Sequence, residues 1–290
     1  MKLSNKIIIS VLLAAVLTAG IVFALPKMRE SESTGESTGI DYLKEGYLVA
    51  HGFGGLDGVT YTNSLEAFHE NYQKGHKLFE VDFQFTSDDV LVTLHDRPEP
   101  IGTFEEETQN VPYTLMSFEM ICDLMMDYDD FYIITDTKYN HNLDMQRRSF
   151  DYMLSAINER DPKLADRIVV QSYTQAMVRF MLENYDFKSH IYTLYASPDT
   201  GEEVIEFVRE TGISAVCMPI GRATPEFISA LNQLGVFTFV HTINDTEFIE
   251  GLLQMGVFGI YTDFVTYSDL EIDRRDRYPE FAGGKYGEHE

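Results

Sequence analysis

Between Tyr47 and Asp263, short β-rich runs alternate with segments of helical period. The runs are YLVAH (47 to 51), FEVDFQF (79 to 85), FYIITDTK (131 to 138), RIVVQS (167 to 172), HIYTLY (190 to 195), SAVCMP (214 to 219), VFTFVHT (236 to 242) and VFGIYTD (257 to 263). Such alternation predicts parallel β/α units joined by right-handed crossovers. Eight units in about 220 residues fit a (β/α)8 TIM barrel, class α/β, better than an open sheet. A further run, VLVTL (90 to 94), breaks the cadence, and the Ser87-Asp88-Asp89 turn before it predicts a small hairpin extension after the second strand. Between the strands, Asn63 with Glu66 reads as a capping box, Pro225 after Thr224 as a first helical turn, and Gly235 and Gly256 as helix C-caps.

Upstream of this region the pattern changes. Lys2 and Lys6 precede an apolar run from Ile7 to Leu25, and Lys27 and Arg29 follow it. The run is near the ~20 residues that span a bilayer, while Val22-Phe23-Ala24 offers a small-residue cleavage site. Residues 1 to 29 are therefore expected to be a membrane anchor or a cleaved signal peptide, with the domain outside the cytoplasm. Residues 30 to 40 contain ESESTGESTG, a polar stretch expected to serve as a flexible linker, and residues 41 to 290 are assigned to the barrel domain. The tail from Arg274 reads as a surface extension of the last element.

Composition narrows the partners. The 290 residues are 44% hydrophobic, ample for a core, and carry a formal charge of −25. A field of that sign repels polyanions, so nucleic acid and bare anionic lipid are excluded as partners and cations are favoured. With two cysteines, Cys122 and Cys217, neither a disulfide scaffold nor a cysteine-based zinc site can be built, and both read as buried thiols.

In a barrel of this type, reactive side chains stand at the carboxyl ends of the strands. The first run ends in His51, the second carries Glu80 and Asp82, the hairpin ends in His95-Asp96, and the third run carries Asp136 and Lys138. Along the second run Phe79, Val81, Phe83 and Phe85 alternate with Glu80, Asp82, Gln84 and Thr86, which puts both carboxylates on one face, roughly 6 to 7 Å apart. A strand covered by helices has no solvated face, so buried carboxylates there need a cation or donors. Asp136 can supply a third oxygen, and an all-carboxylate set selects a hard divalent ion, Mg2+ or Ca2+. Beside it, His51 and His95 form an acid–base pair suited to phosphodiester cleavage, and Lys138 can neutralise a phosphate oxygen. His241, ending the seventh strand, is a further candidate at the site. No nucleophile elbow, HExxH, Walker A loop or dinucleotide fingerprint competes.

These segments, LVAHG, NSLEAF, FEVDFQFTSDDVLVTLHD, DTK, VVQSY, VHTIND and GIYTD, stand in an order that resembles the glycerophosphodiester phosphodiesterase family, within the larger group of phosphatidylinositol-specific phospholipase C-like barrels. The resemblance implies a divalent metal held by Glu80, Asp82 and Asp136, and catalytic histidines at His51 and His95. Asn63, Lys138 and His241 are expected to bind substrate. Where the family commonly has His-Arg-Gly, Glu-Asn-Thr and Trp-Thr, this chain has His51-Gly52-Phe53, Thr62-Asn63-Ser64 and His241-Thr242. Asp136-Thr137-Lys138 looks more like the Asp of the related sphingomyelinase D group than the family's usual Glu. Gly52 and Thr62 then predict a roomier, less charged mouth, with Phe53, Tyr61 and His241 offering ring faces to a bulkier or cationic headgroup. The implied activity is metal-dependent hydrolysis of small-molecule or lipid phosphodiesters. The alternatives are a phospholipase or sphingomyelinase D-like enzyme on lipid or wall-polymer headgroups, and a catalytically silent surface barrel.

Overall fold

The computed structural model describes residues 39–95, 101–138 and 142–271. Residues 1 to 38, which hold the expected anchor or signal and most of the linker, lie outside them, as does the tail from residue 272. Among the described residues no helix is long and apolar enough to cross a membrane.

In chain order the elements are β1 (Leu48–Ala50), α1 (Leu65–Gln73), β2 (Leu78–Phe85), β3 (Leu91–Thr93), α2 (Phe104–Asn110), α3 (Phe118–Asp127), β4 (Tyr132–Asp136), α4 (Leu143–Asn158), β5 (Ile168–Ser172) and α5 (Gln175–Asn184). They continue with β6 (Ser189–Thr193), α6 (Gly201–Thr211), β7 (Ala215–Pro219), α7 (Pro225–Gln233), β8 (Phe237–His241), α8 (Thr246–Gln254) and β9 (Gly259–Thr262). Eight of these strands pair in parallel in the order β1, β9, β8, β7, β6, β5, β4, β2, and β1 pairs again with β2 to close the ring. The expected (β/α)8 barrel is thus formed. The hairpin is formed too: β3 runs antiparallel to β2 outside the ring, with Phe83 opposite Thr93 and Phe85 opposite Leu91.

Each described α-helix starts on a side chain that accepts a hydrogen bond from its first turn: Ser64, Thr103, Ser117, Asn142, Thr174, Thr200, Thr224 and Asp245. Such a cap contributes about 1 kcal/mol and satisfies an amide that would otherwise lack a partner. Pro225 sits in the first turn after Thr224, and Gly235 and Gly256 follow helix ends at positive φ, as expected. The Asn63/Glu66 capping box does not form. Ser64 caps α1 by accepting from the Ala67 amide, because the Asn63 side chain is held by β2 and Glu66 accepts from Thr114.

All eight residues of β2 are buried, so its acidic face is largely shielded from bulk water. Its outward apolar side packs on aromatic rings: Phe68 of α1 lies 5.0 Å from Phe79 and 4.8 Å from Phe131. That packing fixes β2 against its helices and leaves Glu80 and Asp82 directed into the barrel. At the opposite end, Gly39 (φ +74°) lies against the residue before β6, where a Cβ would come 2.3 Å from the Lys188 carbonyl oxygen. Only glycine fits that approach.

Candidate active site

Two of the cavities among the described residues lie at opposite ends of the barrel. The larger, about 520 Å³, lies where the strands begin and is lined by Ile40, Lys188 and Phe237 among others. It gathers no carboxylate. The smaller, about 360 Å³, lies at the carboxyl ends and is lined by His51, Tyr61, Glu80, His95, Asp136, Lys138, Gln171, Tyr173, Tyr195 and His241, with Cys217 and Tyr261 deeper in. Chemistry, and not volume, selects the second.

Alternation along β2 and the parallel register of β4 bring Asp82 opposite Asp136. Glu80, Asp82 and Asp136 each offer an oxygen within 4.8 Å of the others. Glu80 and Asp82 are almost wholly buried, at 2% and 1% exposure. Their placement is enforced from the backbone. The Gly52 amide donates to Glu80 Oε2 at 2.9 Å, and Asn63 grips Asp82 twice, donating from Nδ2 to Oδ2 at 2.7 Å and accepting from the Asp82 amide at 3.0 Å. Tyr173 donates its hydroxyl to Asp136 Oδ1.

Lys138 lies across the cluster, with Nζ 2.5 Å from Asp82 Oδ1 and 2.9 Å from Asp136 Oδ2. One ammonium against three carboxylates leaves two formal negative charges in excess. Burial pushes the Glu80 carboxyl well above its usual range, and the neighbouring Asp82 adds to the shift. Hard oxygen donors, burial and surplus negative charge together fit a divalent cation held by Glu80, Asp82 and Asp136.

His51 follows β1 and donates from Nδ1 to Asp263 Oδ1 at 2.9 Å, which leaves Nε2 toward the carboxylates, 3.9 Å from Glu80 Oε2. Burial opposes protonation there, but the Asp263 hydrogen bond and the charges of Glu80, Asp263 and Asp82 outweigh it and lift the imidazole to about 9. Asp263 is itself held by Asn244, which donates to Oδ2 at 2.7 Å and accepts from the Asp263 amide at 2.8 Å. His95 lines the same cavity from beyond β3, and Asp96 lies outside the described residues. His241 lies in the wall, and burial and the facing His51 push it down to about 4. Its Nε2 is buried with no hydrogen-bond partner among the described residues.

The candidates His51, His95, Glu80, Asp136, Lys138 and His241 therefore line one cavity, and the buried Asp82 adjoins it beside Asp136 and Lys138. Asn63 does not line it: the residue is fully buried and stands behind Asp82, orienting its carboxylate. The expected open mouth at Gly52 and Thr62 is also not found. Thr62 is 4% exposed and bonded to Ser64, Phe53 is buried between Phe68 and Phe79, and only Tyr61 of that loop reaches the cavity. The aromatic rim comes instead from Tyr61 and Tyr195, 39% and 64% exposed. Cys122 and Cys217 are free and buried, as expected. Sequence reasoning missed Asp263, Asn244 and Tyr173. Asp263 carried the clearest signal, since it stands just past the carboxyl end of the last strand in GIYTD.

The sequence matches the glycerophosphoryl diester phosphodiesterase family over residues 55–109 and 104–267. No curated protein sequence matches the chain. Among solved structures, a glycerophosphodiester phosphodiesterase from Parabacteroides distasonis is similar at 18% identity and TM-score 0.60, covering 82% of this chain and 98% of its own. One from Thermotoga maritima gives 18% and 0.59, covering 75% and 94%. A phosphodiesterase from Oleispira antarctica, in complex with the product sn-glycerol-3-phosphate, gives 14% and 0.57, covering 75% and 92%. At these identities the structures show the shared fold.

Proposed function

Because the chain belongs to the glycerophosphoryl diester phosphodiesterase family, we propose that it is a metal-dependent phosphoric diester hydrolase whose substrates are glycerophosphodiesters. The observation that carries this reading is the buried triad of Glu80, Asp82 and Asp136 beside an Asp263-bound His51. A bound divalent ion, Mg2+ or Ca2+, supplies Lewis-acid polarisation of a phosphoryl oxygen. The chain's own groups do the rest. Lys138 is placed to neutralise a second phosphoryl oxygen, and of the two imidazoles one activates the nucleophile while the other protonates the leaving alkoxide. Asp263 fixes the His51 tautomer so that Nε2 faces the reaction. The product complex of the Oleispira enzyme supports release of a glycerol phosphate here.

Both histidines and all three carboxylates are retained, which argues against a silent barrel. The exposed rings of Tyr61 and Tyr195 favour, as a second reading, a substrate with a bulkier lipid or wall-polymer headgroup. The apolar run at 7 to 25 supports an extracytoplasmic location, anchored in the membrane or secreted after cleavage. The deciding experiment is turnover of glycerophosphocholine and of lysophospholipid before and after chelation, with Glu80→Gln and Asp82→Asn beside the wild type. Loss of turnover on chelation and in both variants, with circular dichroism unchanged, is expected. Unchanged turnover in chelator-treated enzyme would overturn the assignment, and the ratio of the two substrates separates the two readings.

A further inference from the structure

Tyr61 stands on the loop between β1 and α1, and its ring contacts both histidines of the site. Its centroid lies 4.8 Å from that of His51, edge to face at 77°, and 4.2 Å from that of His95, tilted by 36°. The backbone that brings it there is uncommon. Its φ is +58° and that of Asn63 is +48°, the left-handed region that non-glycine residues seldom adopt. Contacts on both sides hold the loop in that form. Asn63 is clamped to Asp82 through both amide atoms. Gly52 lies against the Tyr61 backbone, where a Cβ would come 3.2 Å from the Tyr61 Cα. The segment is thus tied to β2 on one side and to the His51 turn on the other.

His51 is also bonded to Asp263 at 2.9 Å. His95 stacks on Tyr61 more closely and at a lower tilt than His51 does. Aromatic pairs at such separations favour particular orientations, so the ring resists rotation of an imidazole about its side-chain bonds. For groups that must pass protons to a phosphodiester, a displacement of about 1 Å can cost 10²-fold in rate.

We propose that Tyr61 is a positioning residue for phosphodiester cleavage, fixing the planes of both imidazoles. The inference rests on the acid–base reading of the two histidines. The aromatic face is the working part of the side chain. Tyr61→Phe keeps it, whereas Tyr61→Ala and Tyr61→Leu remove it, the latter while filling space.

The test is steady-state kinetics of the full chain on glycerophosphocholine at saturating divalent cation, for these three variants, for His95→Ala, and for His95→Ala combined with Tyr61→Leu. Tyr61→Phe should stay within about 3-fold of wild type, while Tyr61→Ala and Tyr61→Leu should lower kcat roughly 10- to 10²-fold with KM within about 3-fold. In the His95→Ala background the Tyr61→Leu change should cost clearly less than in the wild type, because one of the two rings it orients is gone. Normal kcat in Tyr61→Leu overturns the proposal, as does a raised KM with unchanged kcat, or an undiminished effect in the double variant. Near-normal turnover in His95→Ala removes the acid–base reading and this one with it. An inactive His95→Ala beside a normal Tyr61→Leu defeats the positioning role alone.

Discussion

The Asp263 carboxylate decides what His51 can do. It accepts from Nδ1, is locked by Asn244, and so presents Nε2 to the cavity in one tautomer. Replacing it with Asn keeps the shape but lets an amide donor face Nδ1, which favours the opposite tautomer. Asp263→Asn should therefore lower kcat by roughly 10²- to 10⁴-fold, measured at saturating substrate with circular dichroism unchanged. A rate near wild type would detach Asp263 from the chemistry. The residues legible in the sequence were those with a local signature: Glu80 and Asp82 by their period of two, and His51 and Asp136 by their place at strand ends. Asp263 lies 212 positions from His51, and Tyr173 lies 37 from Asp136. No spacing rule links such pairs until the ring closes.

At the scale of elements, strand and helix order followed from the alternation, because each strand buries a β-rich run and each helix brings its own cap. The error at α1 was one residue. Asn63 and Ser64 are both good caps, and only the contact with β2 withdraws Asn63 from the role. Caps of this kind make a direct prediction: Thr224→Ala should remove about 1 kcal/mol and lower the melting temperature by about 2–4 °C, with kcat unaffected. The turn into β2 holds a second lever. His76 is fully buried, and burial pushes it down to about 4, with contacts to the Val265 and Leu48 backbone opposing the shift. Below pH 6.5 the unfolded chain takes up this proton and the folded chain does not until near pH 4. The stabilisation is thus complete above pH 6.5 and lost on acidification through that window. Thermal melts between pH 7 and 4 should show Tm falling, with a shallower slope in His76→Gln. Equal slopes would mean that other groups dominate.

For the molecule as a whole, charge sets the response to cations. A net −25 surrounds a cavity in which three carboxylates share one lysine. An ion that binds only the folded barrel stabilises it by about 2.7 kcal/mol at a hundredfold excess over its Kd. Mg2+ or Ca2+ should raise Tm by several degrees, and Glu80→Gln or Asp82→Asn should abolish the rise. An equal rise in those variants would trace it to the outer surface.

The close approach of Gly39 to the Lys188 carbonyl fixes the pole at which the chain joins the barrel. The chain enters at the end where the strands begin, and the catalytic mouth opens at the other pole. A rigid hold placed at Gly39 itself would therefore orient the molecule like a cup standing on its foot, rim turned away from whatever grips the base. Ligands would arrive from the surrounding volume, by three-dimensional diffusion, more readily than sideways from the supporting plane. For an enzyme tethered that way, the accessible pool is set by what drifts through the compartment beyond the tether.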